Sequence, residues 1–123
     1  MKSKILIIED EPSLLHLMVD KFTQEGFVTF SAINGKKGIS IALKKHPDLI
    51  ILDSIMPIMD GFTTLKILRQ DEWGKIAKVV FFTNLNDDFK RKEALDQGVI
   101  DYLIKSNVSL KEIVKKVKII LKG

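Results

Sequence analysis

The stretch Leu49-Ile50-Ile51-Leu52-Asp53 decides the fold class: four consecutive apolar residues with no alternation, closed by an acid. A strand with one wet face alternates apolar and polar residues. An unbroken run this short belongs instead to a strand covered on both faces, as in a parallel sheet between helical layers. The signature recurs at Ile5-Leu6-Ile7-Ile8, followed by Glu9 and Asp10, and at Val79-Val80-Phe81-Phe82, followed by Thr83. Two more strand candidates, 28–32 and 102–104, bring the set to five, and the mixed polarity of 28–32 suits an edge.

Between these runs the apolar period changes to that of a helix. Leu14, Leu17, Met18 and Phe22 mark one stripe, with Pro12 near its start and Gly26 past its end. Ile39, Ala42 and Leu43 mark a second, opened by Asn34 as a cap and stopped before Pro47. Leu65 and Leu68 suggest a short third. Residues 89–95 give a fourth, with Asn86 or Asp87 as cap and Gly98 behind, and Leu110, Ile113, Val114, Val117, Ile120 and Leu121 form the clearest stripe. Strand and helix alternate five times with short connections, which predicts an α/β doubly wound parallel sheet of five strands with five helices. No internal repeat or linker divides residues 1–123, so one domain is expected.

Composition excludes several classes. With no cysteine in 123 residues, disulfide frameworks, thiolate metal sites and cysteine nucleophiles are ruled out. The apolar runs fall far short of the ~20 residues of a spanning helix. Glu9 and Asp10 interrupt the first of them too early for a signal peptide, so a cytoplasmic protein without membrane contact is expected. The net charge of +4 is mild, and Lys111, Lys115, Lys116, Lys118 and Lys122 read as the wet face of the last helix rather than a nucleic-acid interface. His16 and His46 have no ligand-spaced companion. Gly35 and Gly38 are not a dinucleotide fingerprint, which would follow the first strand, where acids stand instead.

In a doubly wound sheet the functional crevice lies beyond the carboxyl ends of the strands. Glu9, Asp10 and Glu11 follow the first strand, Asp53 the third, Thr83 the fourth and Lys105 the fifth. A single acid at a strand end is usually a helix cap or a turn. Acids, a hydroxyl and an ammonium at the ends of four different strands are another matter. Carboxylates gathered on one rim repel unless a cation lies among them, and oxygen ligands of this kind suit Mg²⁺. The hydroxyl and ammonium opposite would serve the oxygens of a phosphoryl group attached to a carboxylate.

The segments 5–12, 52–61, 81–83 and 101–105, taken in this order, resemble the signature segments of the response regulator receiver domain of two-component signalling. The resemblance implies a flavodoxin-like fold with strand order 2-1-3-4-5. It implies Asp53 as phosphoacceptor and a sensor histidine kinase or phosphotransfer protein as donor. Mg²⁺ would be held by Asp10, Asp53 and the backbone carbonyl of Ile55, with Glu9 acting nearby, through water. Lys105 and Thr83 would contact phosphoryl oxygens. Tyr102 would turn inward as Thr83 moves, coupling the site to the face of the fourth helix, fifth strand and fifth helix. That face is the candidate for binding a downstream protein or output domain, or for homodimerisation. Pro57 and Gly61 would shape the loop after the acceptor strand. Such a domain is not an enzyme, since it promotes only its own phosphorylation and dephosphorylation.

Two positions depart from the family's habit: Ser106 stands where Pro is usual, and Asn84 where a small residue is usual. Loss of the Pro leads to the expectation of a trans Lys105–Ser106 peptide, because a cis bond before other residues costs ~3–4 kcal/mol. The resemblance also implies that Ile55 and Leu85 stand where side chains flank water's approach to the acyl phosphate; neither orients water, so slow hydrolysis is expected. Two alternatives remain: an interaction module on this fold that does not use phosphate, and a Mg²⁺-dependent phosphatase with an Asp nucleophile. The phosphatase would want a second acid two residues after the nucleophile, where Ile55 stands.

Overall fold

The computed structural model describes residues 2–122; Met1 and Gly123, the ends of the expected domain, lie outside the described residues. The apolar runs form strands β1 (Lys4–Ile8), β2 (Val28–Ala32), β3 (Leu49–Leu52), β4 (Val79–Thr83) and β5 (Asp101–Ile104). All neighbours pair parallel, in the order β2-β1-β3-β4-β5. Between and after them lie α1 (Pro12–Gln24), α2 (Gly35–Lys45), α3 (Gly61–Arg69), α4 (Asp88–Asp96) and α5 (Leu110–Lys122).

The unbroken apolar runs divide their side chains between two cores. Ile5, Ile7, Leu49, Ile51, Val80 and Phe82 meet Leu15, Met18 and Phe22 of α1 and Ile113, Val114 and Val117 of α5. Leu6, Ile8, Ile50, Leu52, Val79 and Phe81 meet Ala42 of α2, Leu65 and Leu68 of α3 and Ala94 of α4. Successive strand residues point to opposite faces, so a strand buried twice leaves no position for a polar side chain. No helix among the described residues is long and apolar enough to cross a membrane.

Local chemistry sets the helix starts. Pro12 opens α1 without a side-chain cap, whereas Asn34, Asp60 and Asp87 cap α2, α3 and α4 by accepting the N–H of Lys37, Thr63 and Lys90. Of the two cap candidates for α4, Asp87 is the one used. Two stripe assignments fail. Leu17 is 56% exposed and Leu15 packs inward in its place, and Leu43 is also exposed. Met18 and Phe22 fix the buried face, and Leu15, three residues before Met18, shares it. Leu17 lies one residue before Met18 and so about 100° round the helix.

Candidate functional site

The sheet ladder continues past the strand ends and positions the site. The Asp53 N–H donates to the Ile8 carbonyl at 3.0 Å, the Glu9 N–H to Ala32 at 3.0 Å and the Lys105 N–H to Thr83 at 2.8 Å. The order in which strands are added to the sheet switches sides between β1 and β3, and Glu9, Asp10 and Asp53 flank that switch point. There they line a cleft of about 290 Å³ together with Ile55, Thr83 and Lys105.

Glu9, Asp10 and Asp53 each present a carboxylate oxygen within 4.8 Å of the others. The Lys105 Nζ lies 2.6 Å from Glu9 Oε1 and 3.1 Å from Asp53 Oδ2. Three carboxylates against one ammonium leave two negative charges, the charge of one divalent cation. Burial pushes the Glu9 carboxyl up to about 7; its bond to Lys105 recovers part of that cost and the charge of Asp53 adds to it. Burial also disfavours the Lys105 ammonium, but Glu9 and Asp53 outweigh it and hold its pKa above the ordinary lysine value. The asymmetry is physical: the ammonium has two carboxylates, while they share one ammonium. An all-oxygen donor set with this charge fits Mg²⁺.

The Asp53 carboxylate is also fixed from its other side, by the Ser54 N–H donating to Asp53 Oδ1 at 2.7 Å. Thr83 is fully buried, and its hydroxyl is hydrogen-bonded to the Ser54 hydroxyl. The Leu85 N–H donates to Thr83 Oγ1 at 3.1 Å, and the Tyr102 hydroxyl donates to the Leu85 carbonyl at 2.7 Å. Tyr102 is thus already inward, its ring edge-on to Phe81 at 5.6 Å between centroids. Burial, with the charge of Asp87 behind it, raises the pKa of this phenol.

The loop between β3 and α3 bends sharply. The Met59 N–H donates to the Pro57 carbonyl at 2.7 Å around Ile58, whose φ is +72°. This is the strained form of γ-turn, and a branched side chain in it costs on the order of 1–3 kcal/mol. Gly61 closes the loop by donating to the Ser54 carbonyl at 2.8 Å, and a Cβ there would run into the Asp53 carbonyl and the Ser54 Cα.

Every site residue expected from the sequence, Glu9, Asp10, Asp53, Ile55, Thr83 and Lys105, lines this one cleft, and Tyr102 lies behind Thr83. Ile55 is 62% exposed at the rim, Leu85 is half-buried, and Asn84 and Ser106 are exposed. The Lys105–Ser106 peptide is trans, as expected, and no cis bond occurs among the described residues. Sequence reasoning missed Ser54. A serine directly after Asp53 reads as a turn residue, and only the parallel register of β3 against β4 brings it to Thr83.

The profile of the response regulator receiver domain family matches residues 5–118. The DNA-binding dual master transcriptional regulator RpaA of Synechocystis sp. is 34% identical over 119 residues, 97% of this chain and 49% of that protein. The probable transcriptional regulator ycf27 of Porphyridium aerugineum is 31% identical over 121 residues, 98% of this chain and 49% of the relative. The chain therefore spans about half the length of these curated relatives. Among solved structures, the receiver domain of the Francisella response regulator 1452 superposes with TM-score 0.89 at 30% identity, covering 98% of each chain. Chemotaxis protein CheY4 of Vibrio cholerae, 24% identical, superposes with TM-score 0.88 over 96% of this chain and 98% of its own, a likeness of fold.

Proposed function

The chain belongs to the response regulator receiver domain family, and from that premise we propose that Asp53 accepts a phosphoryl group and thereby switches a partner-binding face. One observation carries the proposal. A buried carboxylate is held between an ammonium at 3.1 Å and two further carboxylates, in a cleft large enough for a phosphoryl group.

In the proposed transfer, an Asp53 carboxylate oxygen attacks the phosphorus of a phosphohistidine on a sensor kinase or phosphotransfer protein. The P–N bond breaks, and the imidazole leaves with the electron pair and takes a proton from water. The Ser54 N–H holds the acceptor carboxylate in a single orientation, so little rotational freedom is lost on attack. Lys105 exchanges its bond to Asp53 for one to a phosphoryl oxygen, and the Thr83 hydroxyl donates to another. Glu9, Asp10, Asp53 and the Ile55 carbonyl are the proposed holders of Mg²⁺, which when bound would neutralise charge developing on the phosphoryl oxygens. Ile55 lines the cleft and Leu85 adjoins it through its bond to Thr83; neither apolar side chain can act as a base toward water, so the acyl phosphate is long-lived.

The readout follows from the hydrogen bonds that join Thr83 through Leu85 to Tyr102. Movement of Thr83 toward the phosphoryl group pulls on Leu85, at the start of the α4 connection, and on the ring that anchors β5. The α4-β5-α5 face is accordingly the proposed surface for a downstream protein, an output domain or a second copy. The test is mass spectrometry of wild type and Asp53→Asn after incubation with acetyl phosphate and Mg²⁺. Wild type gains the mass of one phosphoryl group and the variant none. An unmodified wild type, or a variant modified equally, defeats the assignment.

A further inference from the structure

Ser54 is 1% exposed, and the site uses all three of its polar groups. Its N–H donates to Asp53 Oδ1, its carbonyl accepts the Gly61 N–H, and its hydroxyl is bonded to that of Thr83. A hydroxyl has one proton and two lone pairs. On Thr83 one lone pair is taken by the Leu85 N–H, and the remaining hydrogen bond goes to Ser54, not to the Asp53 carboxylate. From acceptor to phenol the chain of contacts is continuous: Asp53, Ser54, Thr83, Leu85, Tyr102. Within it Leu85 acts twice, its N–H on Thr83 and its carbonyl on Tyr102.

We propose that Ser54 is a positioning residue that latches Thr83 in its resting place, so that engaging a phosphoryl group requires the Ser54–Thr83 hydrogen bond to break. The inference rests on the phosphoacceptor reading and adds to it a resting-state restraint. The Ser54 backbone is tied to both the acceptor side chain and Gly61, so its Cβ stays in place when Thr83 moves toward the cleft. The latch is therefore released by movement of Thr83 alone. Because the pair is buried, water does not replace the broken bond, and the restraint acts directly on the switching equilibrium. A ligand that engages Thr83 must overcome it, and its apparent affinity falls by the same factor.

The test is a titration of the whole chain with beryllofluoride and Mg²⁺, a stable mimic of the aspartyl phosphate, on wild type, Ser54→Ala, Thr83→Ala and the double variant. Ser54→Ala is expected to bind about three- to tenfold tighter than wild type, the size of one neutral hydrogen bond released. The gain disappears in the Thr83→Ala background, because the latch has nothing left to hold. A serine needed only for packing would instead lower stability and weaken binding. If Ser54→Ala does not fold, Ser54→Cys, of nearly the same shape but a weaker hydrogen-bonding group, takes its place. Binding equal to or weaker than wild type, or a gain that survives loss of Thr83, overturns the latch and leaves the phosphoacceptor reading standing. A wild type that binds no beryllofluoride overturns both.

Discussion

Helices α5 and α4 flank the same edge strand but are held by different physics. α5 buries Ile113, Val114 and Val117 against the sheet, beside Leu15, Met18 and Phe22 of α1. α4 buries only Ala94, and its largest apolar side chain, Phe89, is 78% exposed. What holds α4 is mostly polar: the Asp87 cap at its start and, past its end, the Arg69 guanidinium. Arg69 donates to the carbonyls of Gln97 at 2.8 Å, Gly74 at 2.7 Å, Ala77 at 2.8 Å and Gly98 at 3.3 Å. One side of the sheet is a packed wall. On the other side α4 itself is held mainly by hydrogen bonds rather than by apolar burial, the condition for low local stability.

The comparison is easiest to break at its strongest point. Ile113→Ala is expected to cost about 2–5 kcal/mol, the range for a fully buried aliphatic side chain truncated to Ala. Phe89→Ala, on α4, is expected to change stability by no more than ~0.5 kcal/mol. Urea unfolding of both variants checks the contrast, and losses of similar size would mean that α4 is packed as firmly as α5.

Arg69 sharpens the comparison at a smaller amplitude. Burial lowers the pKa of its guanidinium, and four carbonyls surround it with no carboxylate partner among the described residues. Arg69→Ala leaves several half-buried carbonyls unpaired and is expected to cost about 2 kcal/mol, the scale of hydrogen bonds to a charged group. The loss should be local. Amide exchange is expected to quicken in α4 and the connection after it while α5 stays protected. Acceleration spread evenly over both helices would show that Arg69 supports the whole domain rather than this side.

The same division decides what was legible in the sequence. The central strands were readable because a doubly buried strand has no polar position, as 49–52 and 5–8 show, whereas β2 was readable as an edge from its mixed polarity. α5 was readable from its stripe. α4, with a single buried residue, was readable only from its ends, where Asp87 caps and Gly98 takes a φ of +83°. Leu17 was misassigned because apolarity alone does not fix helical phase. The capping box of Ser109 and Glu112, which exchange hydrogen bonds at 3.1 and 3.0 Å, carries an S-x-x-E signal that was present but unused. The acids, Thr83 and Lys105 were legible because strand ends converge by topology. Ser54 and Arg69 were not, because their partners lie 29 and up to 29 residues away and depend on register and loop path.

A further effect, smaller than those of Ile113 and Arg69, lies in the cleft where the two sides meet. Asp10→Ala is expected to weaken Mg²⁺ binding by about tenfold, or ~1.4 kcal/mol, through loss of one charged ligand. The same titration carries a pH signature from Glu9, whose carboxyl burial holds up to about 7. Below that pH Glu9 is mostly protonated and the cleft loses one negative charge, so a cation must first displace the proton. Above it the proton is gone and no further gain is available. Lys105, raised above its ordinary value, stays charged throughout and contributes no slope. Apparent Mg²⁺ affinity should therefore rise with pH by up to about tenfold per unit below about 7 and level off above it. Glu9→Gln should flatten the curve without abolishing binding, because Asp10 and Asp53 remain. Calorimetry in two buffers of different ionisation enthalpy would count the released proton directly. A wild-type curve already flat between about pH 5.5 and 8 would mean that Glu9 is ionised in the metal-free cleft and that Lys105 compensates its burial in full.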